Sequence, residues 1–198
     1  LVERSPRYVF SVSATTRPPR PGERDGVDYH FLSERDFMRR VEEGAFAEWA
    51  RVHGRLYGTP RSELEAAAGR GEHVVLDIDV QGARQIRDAV PEACLIFVLP
   101  PSVDTLMARL EGRGTEAPED LARRLRSARD ELQAVPDFDY VVVNDDLDDC
   151  LAEIRAIVEE GTAPEPPEVD AERMGAEVGR ILRSRFGETT QDDEQEGR

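Results

Sequence analysis

The chain has 198 residues, enough to bury a sizeable core in one domain and leave room for a tail. Charged residues make up 34% and the net charge is −16, which argues against general nucleic-acid binding through the phosphate backbone. No apolar stretch approaches a membrane span, and residues 1–6 do not read as a signal peptide. Cys94 and Cys150 are isolated, with no CxxC spacing, so neither a disulfide framework nor a metal site is indicated; a reducing cytoplasm fits best. Every basic residue is arginine, because the chain contains no lysine.

Residues 1–6 read as the end of a helix, with Pro6 after its last turn. Residues 8–13 are the first predicted strand, followed by a loop dense in Thr, Arg, Pro and Gly. Residues 28–32 alternate enough for a short strand. Ser33, with Asp36 three residues on, is an N-cap for a helix over 34–43. That helix sets Phe37, Met38 and Val41 on one face and stops at Gly44. Residues 45–52 read as a strand with Phe46, Glu48 and Ala50 on one side and Trp49 on the other. His53-Gly54-Arg55 is a turn, and a helix is predicted over 61–69.

The run from His73 to Asp79 is apolar and β-branched and ends in carboxylates. It reads as a buried parallel strand whose C-terminal end faces a site, the place where open α/β sheets bind ligands. A helix follows to about residue 89, then a second buried strand over 95–99 and a helix over 103–111. Gly112-Arg113-Gly114 breaks that helix, and another follows over 118–132. A third buried strand over 140–143 ends in Asn144-Asp145-Asp146, and a helix over 148–159 closes the series. Strands alternating with helices predict an α/β domain with a largely parallel sheet. From Gly161 a Pro-rich linker leads to a marginal helix over 169–186, with Met174, Val178, Ile181 and Leu182 on one face, and then to a polar, acidic, disordered end.

The stretch over 11–31 carries the first chemical signal. Arg17 and Arg20 are held on a loop stiffened by Pro18, Pro19 and Pro21, which suits bidentate grip of a dianionic phosphate. The alternative for the loop alone is solvated surface charge.

The blocks SVSATTRPPRPGE at 11–23, DYHF at 28–31, YGT at 57–59, LDIDVQG at 76–82, LPPS at 99–102, RLEGRGT at 109–115 and VNDD at 143–146 stand in the order seen in guanylate kinases. Over 8–159 the chain resembles that family. The resemblance implies a P-loop nucleoside monophosphate kinase fold: a parallel-sheet core, an inserted mixed-β GMP-binding region over about 14–70 and a helical LID over about 112–131. The kinase-like domain would span 1–160, and 161–198 would be linker and tail.

The resemblance implies that Arg17, Arg20, Tyr29 and Tyr57 hold the GMP phosphate, and that Ser13, Glu48, Thr59 and Asp79 read the guanine. The chemistry agrees. Guanine offers N1–H and N2–H₂ side by side to one carboxylate, and O6 to a hydroxyl; adenine would leave a buried Glu48 unpaired. Arg109, Arg113 and Arg124 match LID arginines that stabilise charge on the transferring phosphoryl group. Asp77 and Asp79 lie near the expected Mg²⁺, acting through water, and Asn144 matches a position beside the ATP adenine. The implied reaction is ATP-dependent phosphorylation of GMP or dGMP in purine nucleotide metabolism. The implied partners are GMP, dGMP and ATP, with neither nucleic acid nor membrane.

One departure stands out. The family's first strand and its G-x-x-x-x-G-K-[ST] loop do not occur in these residues, and with no lysine in the chain nothing supplies the P-loop Lys. The preferred expectation is a chain that begins after the P-loop of an ordinary guanylate kinase, leaving unpaired backbone and exposed Val, Leu and Ile beside the LDID strand. The alternatives are a pseudoenzyme that binds guanine nucleotide or a protein partner, and a P-loop kinase of other specificity, against which Glu48 with Thr59 weighs.

Overall fold

The computed structural model describes residues 1–52, 54–111, 118–163 and 167–187. His53 of the expected 53–55 turn, the helix breaker at 112–114, part of the linker and most of the acidic end lie outside the described residues. The chain divides into two compact units, Leu1–Ala93 and Cys94–Arg198, described separately below.

The first unit holds two sheets. β1 (Tyr8–Phe10) pairs in parallel with β6 (His73–Val75). The second sheet has four strands in the order β3 (His30–Phe31), β2 (Ala14–Thr15), β5 (Arg55–Pro60) and β4 (Phe46–Val52). The expected strand over 8–13 therefore stops at Phe10, because the chain leaves the first sheet at Ser11 and joins the second at Ala14. With β1 gone, β6 has no ladder partner beyond Val75, so the expected strand over 73–79 stops there and Leu76–Asp79 is irregular.

The helix α1 (Glu34–Glu42) starts where Ser33 accepts the Asp36 N–H and donates its hydroxyl to the Asp36 carboxylate at 2.7 Å. Just beyond its end Gly44 takes φ +67°, which glycine adopts without a Cβ penalty. Phe37 of α1 stacks on Phe46 at 4.5 Å and packs with Ala14 and Leu56 against one face of the four-stranded sheet. Gly58 belongs to that packed face, where an added Cβ would lie 3.1 Å from the Phe37 ring and 2.9 Å from the Glu48 carbonyl.

A β-bulge between Phe46 and Glu48 corrects the expected facing of β4. Simple alternation sets Phe46 beside Glu48; the extra residue, Ala47, sends Phe46 into the α1 core and leaves Glu48 on the opposite face. Helix α2 (Arg61–Gly69) matches the predicted range, and α3 (Val80–Ala89) starts at Asp79, whose carboxylate accepts the Gly82 N–H at 2.9 Å.

In the second unit β7 (Ile96–Leu99) and β8 (Tyr140–Val143) pair in parallel. The predicted buried strands are parallel but not fully buried: Val98 is 46% exposed. Helix α4 (Val103–Glu111) and α5 (Pro118–Gln133) follow. Helix α6 (Leu147–Arg155) opens at Asp146, which accepts two backbone N–H groups, and passes into one π-helical turn, Ala156–Glu160.

Helix α7 (Ala171–Phe186) corrects the picture of a marginal tail helix. Its Met174, Val178 and Leu182 are buried with Leu99, Val103, Met107, Ala122, Leu125 and Leu132. Alone, such a stripe has little to stabilise it; packed on α5 it completes the core of this unit. No described helix is long and apolar enough to cross a membrane.

Candidate functional site

Strand alternation builds the site. The four-stranded sheet gives Ala14, Leu56 and Phe46 to α1. The opposite face carries Thr15 and Phe31, paired in register, Tyr57 opposite Thr15, and Thr59 opposite Glu48. Tyr57 and Thr59 are two residues apart on β5, so they share that face about 7 Å apart. The predicted phosphate end and base end thus stand side by side on one sheet.

At the phosphate end Arg17 does not simply project from the loop beside Arg20. Its Nη1 and Nη2 donate to the two Glu23 carboxylate oxygens at 2.9 and 2.8 Å, and Nη1 also donates to the Pro18 carbonyl. The guanidinium lies 5.3 Å from the Tyr29 ring centre and 5.8 Å from that of Phe31, within cation–π range. Tyr29 in turn meets Tyr57 edge-on at 6.3 Å. The Glu23 hydrogen bonds raise the Arg17 pKa, with Tyr57 adding to the effect. Reciprocally, Arg17 and then the Arg20 N–H hold the Glu23 carboxyl below its ordinary range. Arg20 has an exposed side chain, while its backbone N–H donates to Glu23 at 2.6 Å.

At the base end Glu48 is 5% exposed and Thr59 fully buried. The Thr59 hydroxyl donates to Glu48 Oε1 at 2.6 Å. Burial pushes the Glu48 carboxyl up, and repulsion from Asp79 adds to it. A buried carboxylate whose hydrogen bonds come from Thr59, by its hydroxyl and its backbone N–H, has acceptor capacity left for a donor-rich ligand edge. Ser13 is half-buried, its carbonyl accepting the His30 N–H at 2.9 Å. Asp79 is engaged as the α3 cap, and Asp77 is exposed.

In the second unit Arg109 Nη2 donates to the Asn144 carbonyl at 3.0 Å, and Arg124 Nη1 to the Leu110 carbonyl at 2.6 Å. The structure therefore brings Arg109 and Asn144 together; Arg113 lies outside the described residues.

Four contributors escaped the sequence reading. Glu23 stands inside the first motif block, three residues after Arg20, where a turn brings its carboxylate back over Arg17. Phe31 is two residues beyond Tyr29. Gln85 and Gly82 are three apart on α3, a spacing that puts both on one helix face.

The described fold is that of the P-loop nucleoside monophosphate kinases. The crystal structure of guanylate kinase from Anaplasma phagocytophilum matches with a TM-score of 0.65 and 31% identity, covering 92% of this chain and 87% of that one. The guanylate kinase family profile matches residues 1–161. Guanylate kinase of Symbiobacterium thermophilum is 50% identical over 158 residues, 80% of this chain and 75% of the relative. Guanylate kinase of Thermus thermophilus is 47% identical over 197 residues, 96% of this chain and 89% of the relative. The chain belongs to the guanylate kinase family and so to the kinases, a class of transferase.

Proposed function

We propose that this protein binds GMP or dGMP on the four-stranded sheet of its first unit and phosphorylates it to GDP or dGDP at the expense of ATP, as a cytoplasmic enzyme of purine nucleotide metabolism. The observation that carries this reading is the buried Glu48–Thr59 pair beside the Arg17 loop on one sheet face. Glu48 would accept from guanine N1–H and N2–H₂ together. The Thr59 hydroxyl would turn to O6, with Ser13 and Asp79 beside them. Adenine would leave the Glu48 charge buried and unpaired.

Arg17 and Arg20, with Tyr29 and Tyr57, would hold the GMP phosphate. The Pro-stiffened loop and the Glu23 contact keep the Arg17 fork in place before ligand arrives, which reduces the entropy lost on binding. Arg109, Arg113 and Arg124 would stabilise charge on the phosphoryl group in flight, and Asn144 would sit at the adenine side.

Kinase Mg²⁺ is commonly held by one or two carboxylates together with substrate phosphates. The described residues fit that pattern, since Asp77 offers an exposed carboxylate. Asp79 is better suited to orienting a ligated water while it caps α3. When bound, Mg²⁺ supplies charge neutralisation on the ATP phosphates.

A second reading is that these 198 residues bind guanine nucleotide without phosphoryl transfer. None of the 198 residues is lysine, and no G-x-x-x-x-G-K-[ST] motif occurs among them. Incubation of the purified chain with ATP and GMP, read by chromatography of the nucleotides, separates the two. ADP and GDP in equal amounts support the kinase. Bound GMP without turnover supports the second reading or a chain that begins after its P-loop, and no GMP binding overturns both readings.

A further inference from the structure

Strand β4 is the edge of its sheet, and the bulge interrupts its ladder next to Glu48. The following residue is held from outside the sheet. Trp49 N–H donates to Gln85 Oε1 at 3.1 Å, and Gln85 Nε2 donates to the Trp49 carbonyl at 2.8 Å. A primary carboxamide carries a donor and an acceptor, so it replaces the missing neighbour strand for that one residue. Three residues earlier on the same helix face stands Gly82. A Cβ there would fall 2.9 Å from Glu48 Oε2 and 3.4 Å from Glu48 Cδ. Helix α3 therefore approaches the Glu48 carboxylate as closely as a glycine permits. The Gly82 N–H is already satisfied by Asp79, leaving Oε2 without that donor.

We infer that the Gly82–Gln85 face of α3 sets guanine specificity by fixing Glu48: Gln85 is a positioning residue that clamps the Trp49 peptide, and Gly82 leaves room for the carboxylate. The inference rests on the proposed role of Glu48 in reading guanine. Its physical basis is that accepting two parallel N–H groups requires a fixed carboxylate plane. A bulged edge strand does not hold one by itself. Loss of the clamp lets Glu48 reorient, which weakens the paired contact more than any single one.

The test compares calorimetric binding of GMP, of IMP, which lacks the 2-amino group, and of ribose 5-phosphate, which lacks the base. Gln85→Leu is expected to shrink the GMP-over-IMP preference about tenfold while ribose 5-phosphate binding is retained. An unchanged preference, or equal weakening of all three ligands, would overturn the inference. If Gln85→Leu does not fold, Gly82→Ala decides in its place. It keeps the clamp, favours the helix through alanine's propensity, and crowds Glu48 and Ile78; the same loss of preference is expected, and its absence overturns the inference. Glu48→Gln is the control for the underlying reading. If it leaves the GMP-over-IMP preference intact, Glu48 does not read the base, whatever the α3 variants do.

Discussion

Glu23 and Glu48 lie in the same unit and are shifted in opposite directions. Glu23 meets the Arg17 fork and the Arg20 N–H, and its carboxyl is held low; Glu48 is buried against Thr59, whose hydroxyl and backbone N–H offset the burial only in part, and its carboxyl is pushed up. The first charge is matched within the protein. The second is kept in a place where it is costly until a ligand brings donors to it. In the proposed reading the phosphate end is thus preformed by internal pairing, while the base end stores an unmet demand that guanine would fulfil and adenine would not.

Glu48→Gln breaks this contrast most directly. GMP affinity should fall by about 2–4 kcal/mol, because two charge-assisted contacts are lost and one carboxamide N–H faces the guanine donors. The same variant should raise the thermal midpoint at neutral pH, since a penalised buried charge disappears. Titration calorimetry and thermal unfolding read the two effects; loss of both affinity and stability would mean that Glu48 is a structural carboxylate. Arg17→Ala comes next, with GMP and ribose 5-phosphate both weakened by about 2 kcal/mol and the GMP-over-IMP preference retained. Equal affinity for GMP in that variant would remove the loop from the site. Thr59→Val is expected to cost about 1 kcal/mol of GMP affinity through the lost O6 donor and to push the Glu48 carboxyl still higher.

The smallest expected effect is in pH, and its sign differs between the two carboxylates. Stability from Glu23, whose folded pKa is lowered, is present above its ordinary value of 4.5 and is lost as pH falls through the lowered pKa. Glu48 behaves oppositely. Its folded pKa is raised, so the native state loses stability as pH rises from 4.5 through the raised pKa. GMP binding requires Glu48 ionised, so affinity should climb over that same window, with proton release on binding detectable by calorimetry in buffers of different ionisation enthalpy. A flat pH profile that is identical in wild type and Glu48→Gln would show that Glu48 does not titrate on binding.

Much of the element order was legible because its signals are local. Ser33 with Asp36, the run to Leu99 and the alternation of helix with strand each follow from neighbours in sequence. The facing of β4 was not legible, because a bulge is set by the partner strand: Phe46 and Glu48 look equivalent in alternation and end on opposite faces. Nor was the reach of strand 73–79, which ends where β1 turns away to join another sheet.

The amino-acid sequence by itself determined the family resemblance, the arginine–proline loop, the identities of Glu48 and Thr59, and the absence of any lysine. These depend on residue type and order, which the chain carries directly. Only the tertiary structure decided that Arg17 is paired to Glu23, that α7 belongs to a core, and that α3 meets β4 through Gln85 at Trp49 and Gly82 beside Glu48. Each is a contact between segments distant in sequence or turned back on themselves. Packing, rather than local periodicity, selects which partners such residues meet.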